Sequence, residues 1–585
     1  MIASDFASEP CRKMLPRRFP RLNFCLLALV LAALPTSCGG GANKDQGETS
    51  AAWDGQQRNV VLISIDSLRR DHVGTYGHKP RYSGDIPVSP NLDALGAEGV
   101  VFEDAWTTSS WTLPSHMALM TGLSDRLHGV ETDKFQLDPL RSTLAQQFQD
   151  SGWNTAGYFS GPFLAPRYGF GRGFDDYQSG MLSSEDFVAK IAGENEKRAQ
   201  AGMEPMDPET IKFFRDRMSH WDITSPRINE LGSAFLDQQQ PDSEKPFFLF
   251  LHYFDAHYDH VPEESSGLAA KFDPGYRGPF DGANWYFDPR VMQKDKPYDR
   301  LIGARDLEHV KALYDAEIHW VDQHVGAIVS KLKEQGLYDN TIIMVVSDHG
   351  DEFFDHGSIG HRSTLLQEQC RIPMIMRVPG VTPEGRRIPA LTRIYDAAPT
   401  LLDYAGANSL VEAEGSSMRE LVDGKGDART AMQRIFSGGH RKWRGLNIRD
   451  GWRNKDFTVL RQFRMDPDAL DPDFLYTLPM VVRSLNSAYF VFDRNKDPLE
   501  KQPLSPQDPR FQKAIDAFCR DFRAAEIAND KLQKSAREVL VGVAVSPEEQ
   551  AALNELGYTE AEESGIHDTD IMELILAPLA EPCGN

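Results

Sequence analysis

Basic charge is in short supply. Lys and Arg total 63 against 86 Asp and Glu in 585 residues, a net charge of −23. A protein that grips duplex nucleic acid shows the opposite balance, so nucleic acid is excluded as a partner. Acidity of this kind serves solubility. Cysteine is scarce as well: six in so long a chain are too few for a disulfide scaffold. Spacing alone leaves Cys370, Cys519 and Cys583 open as free or paired. Long apolar runs are missing apart from one near the N-terminus, which excludes a multi-span membrane protein. No repeat recurs at solenoid periods. What is present is ordinary for a globular protein, with 41% apolar and 25% charged residues. The chain is long enough to bury a sizeable core.

The one apolar run looks like part of an export signal. Arg12, Lys13, Arg17, Arg18 and Arg21 precede Leu22 to Leu34. Thirteen residues at about 1.5 Å each reach roughly 20 Å, short of a roughly 30 Å hydrocarbon core, so a cleaved signal over 1–37 fits better than a spanning helix. Leu34-Pro35-Thr36-Ser37-Cys38 followed by three glycines resembles a bacterial lipoprotein signal, although Pro35 departs from its usual aliphatic residue. That implies a lipid anchor at Cys38, a membrane partner and a cell-envelope location. Residues 38–56 read as a flexible tether.

Three segments share one design. Asn59 to Asp66, Pro246 to Asp255 and Thr341 to His349 are apolar runs rich in β-branched or aromatic residues that end in polar ones. They read as buried parallel strands, with a site at their carboxyl edge. Helical patterns fall between them, including Pro139 to Ser151 and an amphipathic stretch from Asp306 to Gly336. Residues 181–235 read as a helical insertion and 258–300 as a long irregular excursion. From about 430 short alternating strands appear, such as Phe457 to Arg461 and Ser487 to Asp493. Helical segments follow at 511–526 and 546–556. Asp466-Pro467-Asp468 with Asp471-Pro472-Asp473 lacks the ligand spacing of a calcium loop and reads as an exposed turn. The expected domains are 57–430, a smaller one over 431–560, and a tail over 561–585.

The strand ends carry the chemistry. Asp66, Asp348 and His349 combine carboxylates with an imidazole, a metal-ligand set. The run from Trp111 through Thr112-Leu113-Pro114-Ser115-His116 to Thr121-Gly122 then resembles the nucleophile motif of the sulfatase family within the alkaline phosphatase superfamily. That motif is Cys/Ser-x-Pro-Ser-Arg followed by a helix. Ser347-Asp348-His349-Gly350-Asp351, Asp355-His356-Gly357, Gly360-His361 and Arg371-Ile372-Pro373 follow in family order. Phe492 to Glu500 and Leu553 to Tyr558 resemble its closing strand and C-terminal helix. The resemblance implies an α/β, alkaline-phosphatase-like sandwich with a large mixed, mostly parallel sheet and a smaller C-terminal α+β subdomain. It implies a divalent metal (Ca, Mn or Zn), with a second ion left open. The ligands would be Asp66, Asp348, His349 and Thr112, and Thr112 would be the nucleophile. His257 and His361 fall at positions that contact the ester, and either could protonate the leaving oxygen. Asp255 would hold His257 or join a second metal. His128 and His356 read as turn residues.

Three positions depart from the sulfatase pattern. Thr112 is a secondary alcohol, so its oxidation would give a ketone and not the family's formylglycine. Ser67 stands where a second metal-binding Asp is usual. His116, a further catalytic candidate, replaces Arg. A threonine ester must be cleaved by a second attack at the central atom, which phosphorus accepts in line. The expectation is therefore a metal-dependent hydrolase of sulfuric or phosphoric esters, with phosphate favoured. Its substrate would be an anionic ester of a glycan, lipid headgroup or small molecule. The alternatives are an envelope headgroup transferase and a non-catalytic lipoprotein that binds anionic glycans.

Overall fold

The computed structural model describes residues 57–536, apart from 134, 183, 201, 209–210, 212–223, 258, 284, 286–287, 289, 294–295, 383–384, 427–428, 438–446 and 465–487. The signal, tether and Cys38 lie outside the described residues. So do Asp466 to Asp473, the segments 546–556 and Leu553–Tyr558, Cys583 and the tail.

A nine-stranded sheet forms the centre. Its strands are β1 (Asn59–Ile65), β2 (Val100–Trp106), β3 (Asn154–Phe159), β4 (Asp176–Ser179), β5 (Phe247–Tyr253), β6 (Thr341–Ser347), β7 (Arg371–Ile372), β8 (Met374–Arg377) and β9 (Arg386–Arg393). The order is β7-β2-β8-β6-β1-β5-β3-β4, with β9 beside β2. β8 runs antiparallel to both neighbours, whereas β6, β1, β5, β3 and β4 run parallel. The three strands expected from their apolar runs are thus adjacent, and β1 lies between the other two. Ser64 pairs with His252, and Ile65 with Ser347. The carboxyl ends of all three therefore share one edge.

Alternation along β1 explains the layers, because successive side chains face opposite sides. Val60 and Leu62 face a core shared with α2 (Thr112–Thr121), α3 (Leu144–Asp150) and α7 (Ala397–Ala405). Val61 and Ile63 face a second core, filled by α1 (Pro90–Glu98), α5 (Ser225–Leu236) and α6 (Ala304–Glu334). Each fully buried Val, Leu or Ile contributes about 1.5–3 kcal/mol, so a strand apolar on both faces is held from both sides. α6 buries the stripe Val310, Leu313, Ile318, Val321, Val325, Ile328 and Leu332, as its spacing predicts. α3 starts at a capping box made by Thr143 and Gln146. The insertion holds α4 (Ser184–Gln200) as well as α5. The 258–300 excursion includes a short helix, Leu268–Phe272, and a hairpin, Met292–Gln293 with Lys296–Arg300. Cys370 is buried and its thiol is free.

The smaller subdomain is an antiparallel sheet, β10 (Ala431–Ser437), β11 (Asn447–Arg453), β12 (Phe457–Arg464) and β13 (Ala488–Asp493), paired in chain order. Helix α8 (Pro509–Ala536) covers it with Ala514, Phe518 and Phe522 against Trp452, Val459 and Val491. Polar clamps tie this sheet to the large one. Arg494 bridges Asp104 at 2.6 Å, and Arg453 bridges Glu500 at 3.0 Å while donating to the Leu365 carbonyl. Within the small sheet Asp450 is buried between Arg434, at 2.7 Å, and Arg461. Burial pushes the Asp450 carboxyl up, but the two guanidinium charges outweigh it and hold it well below the carboxylate range.

Asp450→Asn is expected to destabilise the protein by about 3 kcal/mol near neutral pH, because it strands two buried guanidinium groups. The stabilisation from Asp450 is complete above roughly pH 4, its unfolded range, and fades as pH falls toward the lowered folded value. Urea midpoints of the two proteins should therefore differ at pH 7 and converge in acid.

Candidate active site

Each candidate residue sits where an element ends. β1 stops at Ile65 and delivers Asp66. β6 stops at Ser347 and delivers Asp348 and His349. Helix α2 begins at Thr112 and is closed by Gly122 in the left-handed region, φ 68°, where a side chain would be strained. Trp111 caps that helix with no side chain, so its first turn is open to an anion.

The three ends converge. The Thr112 hydroxyl donates to Asp66 Oδ2 at 3.3 Å and lies 3.2 Å from His349 Nε2. His349 Nε2 lies 3.4 Å from Asp348 Oδ2 and 3.9 Å from Asp66 Oδ1. Nδ1 of His349 faces the Gly350 carbonyl at 3.2 Å, so it carries the proton and Nε2 presents a lone pair. Asp348 Oδ1 accepts the Ser67 and His349 amides at 3.1 and 2.8 Å. Its Oδ2 is buried with no hydrogen-bond partner. Burial pushes the Asp66 carboxyl up to about 6, against the opposing pull of His349. An orphaned carboxylate oxygen beside a lone-pair imidazole and a second buried carboxylate is an environment short of positive charge. A divalent cation fits this donor set, and Asp66, Asp348 and His349 have ligand atoms within 4.8 Å of one another.

Ser67 forms the corner that makes this possible. It adopts φ 56°, a left-handed conformation that is uncommon outside glycine. That turn aims its amide at Asp348 and its hydroxyl at Asp66 Oδ1, 3.0 Å away. The Tyr314 hydroxyl donates to its carbonyl at 2.8 Å. In place of a second carboxylate, Ser67 supplies two donors to the carboxylates already present.

The histidines divide by position. His361 Nδ1 pairs with Asp351 Oδ1 at 2.7 Å, and its ring lies 4.4 Å from that of His349. His257 stacks on Phe254 at 4.4 Å, and its ring lies 4.9 Å from that of His361. Both therefore stand at the site. His116 lies behind Thr112. Its Nδ1 donates to the Thr112 carbonyl at 2.9 Å and its Nε2 accepts from the Ser64 hydroxyl at 2.8 Å. Burial holds its pKa down at about 3, so the ring is neutral. Asp255 takes neither of the roles open to it: its oxygens accept the Thr224 amide and hydroxyl, the Ser225 amide and the Trp320 indole, at the start of α5. His128, read as a turn residue, ends a one-turn helix, Asp125–His128, and pairs with Asp125; His356 lies in a bend and pairs with Glu368.

Two residues escaped the sequence reading. His252, next to last in β5, places Nε2 3.3 Å from Asp66 Oδ2 while Nδ1 accepts the Ser160 amide. A single imidazole inside an otherwise apolar run was its signal. Asp351 holds His361. A second potential ligand group, His349, Asp351 and His361, shares His349 with the first.

The sulfatase family profile matches residues 58–407, which contain every candidate at the site. The chain belongs to the sulfatase family. Members of this family are ester hydrolases. An arylsulfatase of Clostridium perfringens is 27% identical over 408 residues, covering 62% of this chain and 78% of that one. Among solved structures, a protein in complex with D-glucosamine-2-N,6-O-disulfate superposes with a TM-score of 0.59 at 16% identity, over 81% of this chain and 99% of its own. The phosphonate monoester hydrolase of Agrobacterium radiobacter gives 0.57 at 18% identity, over 81% and 96%. These two likenesses establish the alkaline-phosphatase-like fold.

Replacing Ser67 should separate geometry from chemistry. Ser67→Val places a β-branched side chain at positive φ and is expected to cost about 1–3 kcal/mol, read from urea midpoints. Ser67→Gly escapes that strain and keeps the amide donor, losing only the hydroxyl bond to Asp66, so it should be destabilised by about 1 kcal/mol.

Proposed function

We propose that the protein is a metal-dependent hydrolase of phosphate esters that uses Thr112 as its nucleophile. The observation that carries this reading is the position of the Thr112 hydroxyl, 3.3 Å from Asp66 and 3.2 Å from His349, at the mouth of a helix N-terminus. Asp66, Asp348 and His349 would hold the ion together with Thr112. A divalent cation there would lower the pKa of the hydroxyl and offset charge on the ester.

The chain's own groups then account for both halves of the reaction. His116 holds the Thr112 carbonyl from behind and fixes the start of α2. The open helix end receives the ester's anionic oxygens. Thr112 Oγ1, ionised beforehand with its proton released to water, bonds to phosphorus while the bond to the leaving oxygen breaks. That oxygen takes a proton from His361, whose ring is oriented by the bond between its Nδ1 and Asp351. Water then attacks phosphorus from the opposite side, gives its proton to the same imidazole, and releases the Thr112 oxygen. Threonine supports this second displacement at phosphorus, which is why phosphate is favoured over sulfate. The basic run, apolar segment and Cys38 support an exported, lipid-anchored enzyme acting at the cell envelope.

The test is peptide mass spectrometry of the metal-loaded protein after exposure to aryl phosphate, phosphodiester and aryl sulfate substrates. A phosphoryl or phosphodiester adduct on the Thr112 peptide is expected. Thr112→Ala should lack it and lose turnover by on the order of 10⁴- to 10⁶-fold. An adduct of sulfate alone would reverse the preference. Turnover surviving in Thr112→Ala would remove Thr112 as nucleophile, and glycerol competing with water for the phosphoryl group would reveal a transferase.

His361→Ala is expected to slow esters of poor leaving groups by roughly 10²- to 10⁴-fold. Esters of p-nitrophenol, which leaves without protonation, should be affected far less. Equal losses on both would argue against a role in protonating the leaving group.

A further inference from the structure

A second cluster lies away from the nucleophile. It follows directly from the strand that delivers Asp66. After Ser67 the chain makes two short turns, Arg70–His72 and Gly74–Tyr76, each a single 3-10 turn. They bring His72 and His78 to one carboxylate, Asp315 of α6. His72 Nδ1 lies 2.7 Å from Asp315 Oδ1. His78 Nε2 lies 3.0 and 2.9 Å from its two oxygens. All three ligand atoms fall within 4.8 Å of one another. None of the three takes part in the reaction described above.

We propose that His72, His78 and Asp315 form a structural divalent-cation site, suited to Zn²⁺, that braces the turn carrying Asp66. Two imidazoles and one carboxylate are the donor set that Zn²⁺ favours, and an all-oxygen cation such as Ca²⁺ is poorly served by it. Zinc bonds of about 2.0–2.1 Å in a tetrahedron put ligand atoms roughly 3.3 Å apart, so the His–Asp distances of 2.7 and 2.9 Å need to lengthen by about half an ångström. The Asp315 and His72 side chains are 5% and 8% exposed, which shields the ion. His78 is 17% exposed, which gives it a way in and leaves the fourth position to water.

The location gives the site its purpose. Tyr314, adjacent to Asp315, donates its hydroxyl to the Ser67 carbonyl at 2.8 Å and accepts the Arg69 amide at 2.8 Å. A cation joining 72 and 78 to 315 ties the whole 67–78 segment to a 31-residue helix. The left-handed corner that aims Ser67 at both catalytic carboxylates is then held from two sides.

The probe is Zn²⁺, and the readouts do not depend on activity. Chelator-treated protein is dialysed against Zn²⁺ and its metal content measured. His78→Gln is expected to bind one equivalent fewer than the parent and to lose part of the Zn²⁺-dependent rise in Tm. An unchanged stoichiometry and an unchanged rise would overturn the proposal. Should that variant fail to fold, anomalous scattering at the zinc edge from crystals of the parent protein decides the matter. A peak among His72, His78 and Asp315 is expected; its absence while zinc occupies other positions would mean that the three residues are a hydrogen-bonded clasp only. The catalytic reading stands or falls separately, because Asp348→Asn would remove metal from Asp66, Asp348 and His349 and leave this site loaded.

Discussion

Two carboxylates are fixed at the ends of adjacent buried strands, and most of the site answers that constraint. Asp66 and Asp348 are fully buried. Burying like charges together is costly unless each finds donors or a cation. Backbone amides of Ser67 and His349 take one oxygen of Asp348, and the hydroxyls of Ser67 and Thr112 take both oxygens of Asp66. What these donors leave over is one orphaned oxygen facing the His349 lone pair. That deficit suits the edge to a divalent ion. Ser67 adopts an uncommon backbone conformation that points its amide at Asp348 and its hydroxyl at Asp66.

Around this edge the imidazoles are sorted by which nitrogen is already engaged. His349 turns Nδ1 to a carbonyl and Nε2 toward Thr112 and the carboxylates. His361 pairs its Nδ1 with Asp351. His116 has both nitrogens occupied and serves as a support. Three residues of one type thus differ through their hydrogen-bond partners. His252 adds a nitrogen close to Asp66 from the neighbouring strand.

The elements that were legible in the sequence are those whose signals are local. Three apolar runs ending in polar residues predict β1, β5 and β6, and the α6 stripe predicts its buried face. Thr112 before Pro114 predicts a helix start, and α2 begins at that residue. The roles of Asp255 and His252 were hidden, because each depends on a partner far along the chain. Asp255 is consumed by Thr224 and Ser225, and His252 is set by its register against Ser64. The pairing of His72 and His78 with Asp315 spans more than two hundred residues, so no motif could have announced it.

The small C-terminal sheet has a consequence for how this enzyme can be divided. Gln433 Nε2 donates to the Thr107 carbonyl at 2.9 Å, and the Arg434 amide donates to the Thr108 carbonyl at 2.9 Å. These bonds reach the segment four or five residues ahead of Thr112. The family profile ends at 407, before the first strand of that sheet. A fragment trimmed to the profile would keep every reacting group and lose the splint that holds the approach to Thr112. The unit that carries the chemistry is therefore longer than the unit that carries the catalytic residues.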